Sequence, residues 1–124
     1  MNNIRNVINC WKKNHDSNLF SYLVIKEEKS SNKFVAKVNL RTKVITVNIQ
    51  DLFRVALHLN ISPYIFLYYA LNHELGHLLY KNSKKSENEE YFAHKYAYKN
   101  LCENFVLSYR DMNLLKNLDR RILH

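Results

Sequence analysis

Ser62-Pro63-Tyr64-Ile65-Phe66-Leu67-Tyr68-Tyr69-Ala70-Leu71-Asn72-His73-Glu74-Leu75-Gly76-His77-Leu78-Leu79-Tyr80 is the stretch on which the reading of this chain turns. Ser62 is a capping hydroxyl, and Pro63 already holds helical φ and needs no N–H partner, so a helix starts here. From Pro63 to about Tyr80 nearly every position before His73 is apolar or aromatic, which predicts a helix buried on most sides. On such a helix His73 and His77 stand one turn apart on one face, so both imidazoles can reach one metal ion. Beside them, Glu74 is placed to take a proton from water polarised by that metal. Gly76 is the chain's only glycine. In a helix interior it costs about 1 kcal/mol, and two readings stay open: its missing side chain lets a neighbouring backbone come close between the two histidines, or the position is neutral.

Outward from this helix the pattern divides the chain in two. On the amino-terminal side Ile4, Val7, Ile8 and Trp11 recur at helical spacing behind Asn2 and Asn3. Leu19 to Ile25 reads as a strand. Phe34, Ala36, Val38 and Leu40 alternate with polar residues, and Val44 to Ile49 is rich in β-branched residues after a tight connection near Arg41 and Thr42. These segments predict a small antiparallel sheet with a hairpin. Leu52, Val55, Ala56 and Leu59 then mark a helix opened by Asp51 and closed near Asn60. On the carboxyl-terminal side, Lys81 to Lys85 is a polar break. Ser86 and Glu89 form a capping box, opening a helix that runs to about Asn104. A last helix follows Ser108, with Leu114, Leu115, Leu118 and Ile122 as its apolar stripe. The expected fold class is α+β: a small antiparallel sheet packed on a helical half that carries the histidine motif. Residues 1–124 are expected to form a single metallopeptidase-like domain.

Composition fits that expectation. The 124 residues are 47% apolar and 24% charged, which excludes a disordered chain. No apolar run reaches membrane-spanning length and no secretion signal opens the chain, so we expect no membrane association and a cytoplasmic location. Cys10 and Cys102 lack metal or redox spacing and are expected to be reduced thiols. The net charge of +8 comes from lysines scattered singly or in pairs, without an arginine-rich stripe. Direct nucleic-acid binding is therefore not expected, and the positive surface is read as a solvated one.

A catalytic zinc takes three protein ligands and keeps one position for water, so His73 and His77 need a partner. The following helix offers Glu87, Glu90 and His94 on one face if Glu89 is spent on the cap.

The motif His73-Glu74-Leu75-Gly76-His77 together with Glu90-Tyr91-Phe92-Ala93-His94-Lys95-Tyr96-Ala97 resembles the ImmA/IrrE metallopeptidases, small bacterial and phage-associated zincins. The resemblance spans about Phe34 to Leu101. It implies that Glu90 is the third zinc ligand, and that Ala93, Tyr96 and Ala97 pack the second helix against the first. It also implies a regulatory protease whose protein substrate is a helix-turn-helix transcriptional repressor of a mobile element or stress gene. The chain departs from that family in two places. His94 stands where members carry Asn or Asp, and Tyr98 to Cys102 replaces a Leu-Leu-Met-Pro-like ending. The first departure leaves His94 as an alternative ligand, or as a partner one turn away that orients a ligand or binds a substrate carbonyl.

The expected activity is zinc-dependent peptide-bond hydrolysis with Glu74 as the base. An unidentified oxyanion donor is sought among Tyr22, Tyr80, Tyr91 and Tyr109. Two other readings stay open. A SprT-like protease acting on DNA-associated proteins would suit the positive charge and favour His94 as ligand. A non-catalytic partner-binding module would keep the metal site without needing Glu74.

Overall fold

The computed structural model describes residues 2–15, 17–26, 34–81 and 88–118. Among these are five α-helices and a three-stranded sheet, in the order α1 (Asn2–Lys13), β1 (Tyr22–Lys26), β2 (Ala36–Asn39), β3 (Val44–Asn48), α2 (Ile49–Leu59), α3 (Pro63–Lys81), α4 (Glu89–Asn104) and α5 (Tyr109–Lys116). The fold is α+β, as expected.

The hairpin forms without a glycine. β2 and β3 are antiparallel, with Val38 opposite Ile45 and Asn39 opposite Val44. Asn39 builds the turn, its Oδ1 accepting from the backbone N–H of Arg41 and of Thr42 at 3.0 Å each. Its carbonyl accepts from Lys43 N at 2.7 Å, and Lys43 takes the left-handed conformation at φ 61°. An asparagine side chain thereby does locally what an Asn-Gly turn does with backbone freedom.

The sheet is mixed, not wholly antiparallel. Its spatial order is β1-β3-β2, and β1 runs parallel to β3, Tyr22 opposite Val44 through Lys26 opposite Asn48. β1 and β2 still run in opposite directions. β3 lies between them, and a strand inserted between two opposed strands must be parallel to one. β3 is accordingly the most buried strand, and β2 is an edge.

β3 runs straight into α2, whose cap is Asn48; its Oδ1 accepts from Asp51 N at 3.3 Å, so the helix opens two residues before Asp51. Asn60 closes it in the left-handed conformation. α3 begins as the Ser62-Pro63 pair predicts, Ser62 Oγ accepting from Tyr64 N at 3.3 Å. Every residue of α3 from Phe66 to Leu78 is buried. The helix packs against α4, α1, α2 and the sheet, and is the axle of the molecule. At its far end Lys81 Nζ donates to the Leu40 carbonyl at 2.8 Å, tying the motif helix to the β2–β3 turn.

The expected capping box is not what opens α4. Ser86 and Glu87 lie outside the described residues, and the cap is Asn88, whose Oδ1 accepts from Tyr91 N at 3.2 Å. Asparagine ranks with serine as a cap, and the chain presents both within three residues. Ser108 caps α5 as expected, its Oγ accepting from Asp111 N at 3.0 Å. Ile122 lies outside the described residues. Cys10 and Cys102 are free thiols. Among the described residues no helix is long and apolar enough to cross a membrane.

Candidate metal centre

Three side chains from α3 and two from α4 meet where the helices lie antiparallel. The close approach depends on Gly76. A Cβ built there would lie 2.8 Å from Ala93 Cα, closer than real Cβ atoms come, and 3.1 Å from the Ala93 carbonyl oxygen. The expected role of this glycine is therefore what the structure shows: α4's own backbone fills the space between the two histidines. Ala93 and Ala97 are wholly buried, the small residues that keep the helices near each other.

That approach brings Glu90 to the histidine pair. The His73 and His77 rings lie 4.8 Å apart and nearly perpendicular. His73 Nε2 is 3.1 Å from Glu90 Oε2, and His77 Nε2 is 3.1 Å from Glu90 Oε1. One carboxylate thus spans the two imidazoles. The opposite ring nitrogens are held by other carboxylates: His73 Nδ1 lies 3.0 Å from Glu74 Oε2, and His77 Nδ1 lies 2.8 Å from Glu89 Oε2. A carboxylate on Nδ1 fixes the ring's rotation and leaves Nε2 to face a ligand, the arrangement that supports metal-bound histidine. Glu89 is therefore not a capping residue but a positioning one, and sequence reasoning missed it. The signal was available in Asn88, which removes the need for Glu89 at the cap.

The electrostatics of the cluster call for a cation. His73 and Glu74 are fully buried and His77 nearly so. Ligand atoms of these three residues lie within 4.8 Å of one another and can hold a metal ion, with the partly exposed Glu90 alongside. Three carboxylates, one of them buried and two partly exposed, face the two imidazoles. Burial opposes charge on His73, but hydrogen bonds to Glu74 and Glu90, with their Coulombic attraction, outweigh it and raise its pKa from 6.5 to about 9. The two carboxylates thus favour a positive charge at this position.

A cleft of about 200 Å³ opens onto the group, lined by Glu74, His77, Glu89 and Glu90 on the helices and by Lys37, Val38 and Leu40 of the edge strand and its turn.

His94 is not brought to the histidine pair as a ligand. Its Nε2 donates to the Lys116 carbonyl at 2.8 Å, which leaves Nδ1 to accept from the Tyr69 hydroxyl at 2.6 Å. The fully buried Tyr69 ring lies 6.2 Å from His73 and is roughly stacked on it. His94 thus acts at one remove, holding a tyrosine against a candidate ligand. Of the tyrosines considered as oxyanion donors, Tyr22, Tyr91 and Tyr109 are exposed, and Tyr80 packs on Phe92 with ring centres 5.4 Å apart. None of the four lines the cleft. His58 is exposed on α2, and His15 bonds the Trp11 carbonyl at 2.7 Å, both away from the centre.

No family model matches the chain, and no curated protein or solved structure matches it.

Proposed function

We propose that this protein is a zinc-dependent endopeptidase of the ImmA/IrrE kind, in which His73, His77 and Glu90 hold the metal and Glu74 is the catalytic base. The observation that carries the reading is the pair of 3.1 Å approaches from His73 Nε2 and His77 Nε2 to the two oxygens of one Glu90 carboxylate. Support also comes from the two motifs quoted above and from the cleft at the edge of β2, where an extended peptide can add as a further strand.

Bound zinc would supply an acidified water and a Lewis acid for the scissile carbonyl. The chain's own residues do the rest. Glu74, buried yet lining the cleft, receives the proton released as water attacks and returns it to the leaving amine. Glu89 keeps His77 in the tautomer with hydrogen on Nδ1, and Glu90 closes the site from α4. The substrate we propose is a protein, a helix-turn-helix repressor being the class that the family resemblance implies. The engagement of both His94 nitrogens removes the support that a SprT-like reading drew from His94 as ligand.

The test pairs zinc analysis with cleavage of candidate repressors by the purified chain. Wild type binds one zinc and cuts. Glu74→Gln still binds zinc, about tenfold more weakly because Glu74 also steadies His73 Nδ1, and at saturating zinc it loses activity by about 10²–10⁴-fold, the share of a general base. Equal cleavage by both proteins overturns the mechanism. Zinc binding without cleavage by wild type turns the reading toward a partner-binding module.

A further inference from the structure

One flank of α4 carries a second concavity that the metal chemistry does not use. It measures about 410 Å³ and lies between α4 and the end of α5. Tyr91, Lys95, Tyr98 and Lys99 line it from α4 at positions i, i+4, i+7 and i+8, one helical face, and Lys116 closes it from α5. His94, 8% exposed, is among its lining residues. Among the described residues three lysines and two phenol rings line it, and no carboxylate does. The Lys95 ammonium already lies 4.8 Å from the centre of the Tyr91 ring, so cationic and aromatic surfaces are interleaved.

We propose that this pocket binds an aromatic anion of nucleotide size, the phosphate against Lys99 and Lys116 and the base against the faces of Tyr91 and Tyr98. Three observations carry the assignment. The volume falls within the range of about 300–1,000 Å³ typical of small-molecule sites. The charged groups among the described lining residues are all lysines, which draw an anion and repel a cation. Two flat rings beside those charges select a flat ring over inorganic phosphate, because every base has a face that stacks on an aromatic side chain. Three of the lysines that look like scattered surface charge in the sequence are gathered here by helical spacing and by the docking of α5.

The occupant would lie beside the candidate metal centre without touching it. His94 Nδ1 accepts from Tyr69, and Tyr69 stacks on His73. A ligand pressing on His94 therefore touches the side chain that holds Tyr69 in place.

Calorimetric titration of the full chain with AMP tests the site, with adenosine and inorganic phosphate as separate arms. AMP should saturate one site with a dissociation constant below about 1 mM, and each fragment should bind at least about tenfold more weakly. The same isotherm should appear with Glu90→Ala, which shows that the phosphate is not held by metal. The double variant Lys99→Glu with Lys116→Glu, both positions exposed, should keep its melting temperature and weaken AMP about tenfold. Tyr98→Ala should weaken AMP while leaving phosphate unchanged. Non-saturating AMP, equal binding of AMP and phosphate, loss of binding in Glu90→Ala, or an unaffected lysine variant would each overturn the assignment. None of these outcomes depends on peptide cleavage.

Discussion

Asn72 and His73 are neighbours on α3, both fully buried, and each anchors a polar cluster that reaches α4. The clusters differ in kind. Trp11 Nε1 donates to Asn72 Oδ1 at 2.8 Å, while Asn72 Nδ2 donates to Asn100 Oδ1 at 3.0 Å and to the Ala97 carbonyl at 3.4 Å. Every group there is neutral, and the amide spends both its oxygen and its nitrogen within the protein. Such a network fastens α1, α3 and α4 together and asks nothing of a ligand. One residue on, the His73 cluster surrounds two imidazoles with three carboxylates and carries unbalanced charge. Burial alone therefore does not mark a functional site. What separates the two is whether the buried groups satisfy each other's charge.

The contrast can be broken from either side. Trp11→Ala should have the largest effect on folding. It empties a fully buried indole site and strands the Asn72 oxygen, costing about 3–5 kcal/mol, read by denaturant unfolding with and without zinc. The loss should be the same in both conditions. Glu90→Ala should behave in the opposite way. Its zinc affinity falls by more than about 100-fold, beyond what loss of a supporting carboxylate costs, and the rise in melting temperature that zinc gives wild type disappears. A Glu90→Ala protein that zinc still stabilises would refute the ligand set.

Two smaller changes sharpen the comparison. Gly76→Ala adds a methyl group 2.8 Å from backbone of α4, so the helices must part. Alanine is the better helix former by about 1 kcal/mol, yet a net loss of about 1–2 kcal/mol is expected because overpacking against backbone outweighs that gain. Zinc titration should show weakened binding as well, since Glu90 moves with α4. Glu89→Gln should do least, lowering zinc affinity about tenfold without changing metal-free stability, because Glu89 only steadies His77. Competition with a chelating dye reads this directly.

Much of the fold was legible in the chain because the signals were local. The Ser62-Pro63 start, the buried run of α3, the Asn60 stop and the β2–β3 hairpin each depend on residues within a few positions of one another. The placement of β1 was not legible. Its apolar run from Leu19 to Ile25 shows that it pairs, not which edge it joins, and β3 occupies the place beside β2. The start of α4 was misjudged because Ser86 and Asn88 compete as caps on equal intrinsic terms. That choice propagated to the site, since assigning Glu89 to a cap hid its contact with His77.

By itself the sequence determined that two imidazoles share a helix face with a carboxylate beside them, because i and i+4 spacing is a property of one helix and needs no partner. It also offered Glu90 and His94, one turn apart, as rivals for the third position. Only tertiary structure separates them in space. The register at which α4 crosses α3, set by the contact of Gly76 with Ala93, puts Glu90 against both histidines and turns His94 to Tyr69 and the Lys116 carbonyl. Helical periodicity is written in the spacing of residues along one segment, whereas the register between two segments is settled by how their surfaces pack.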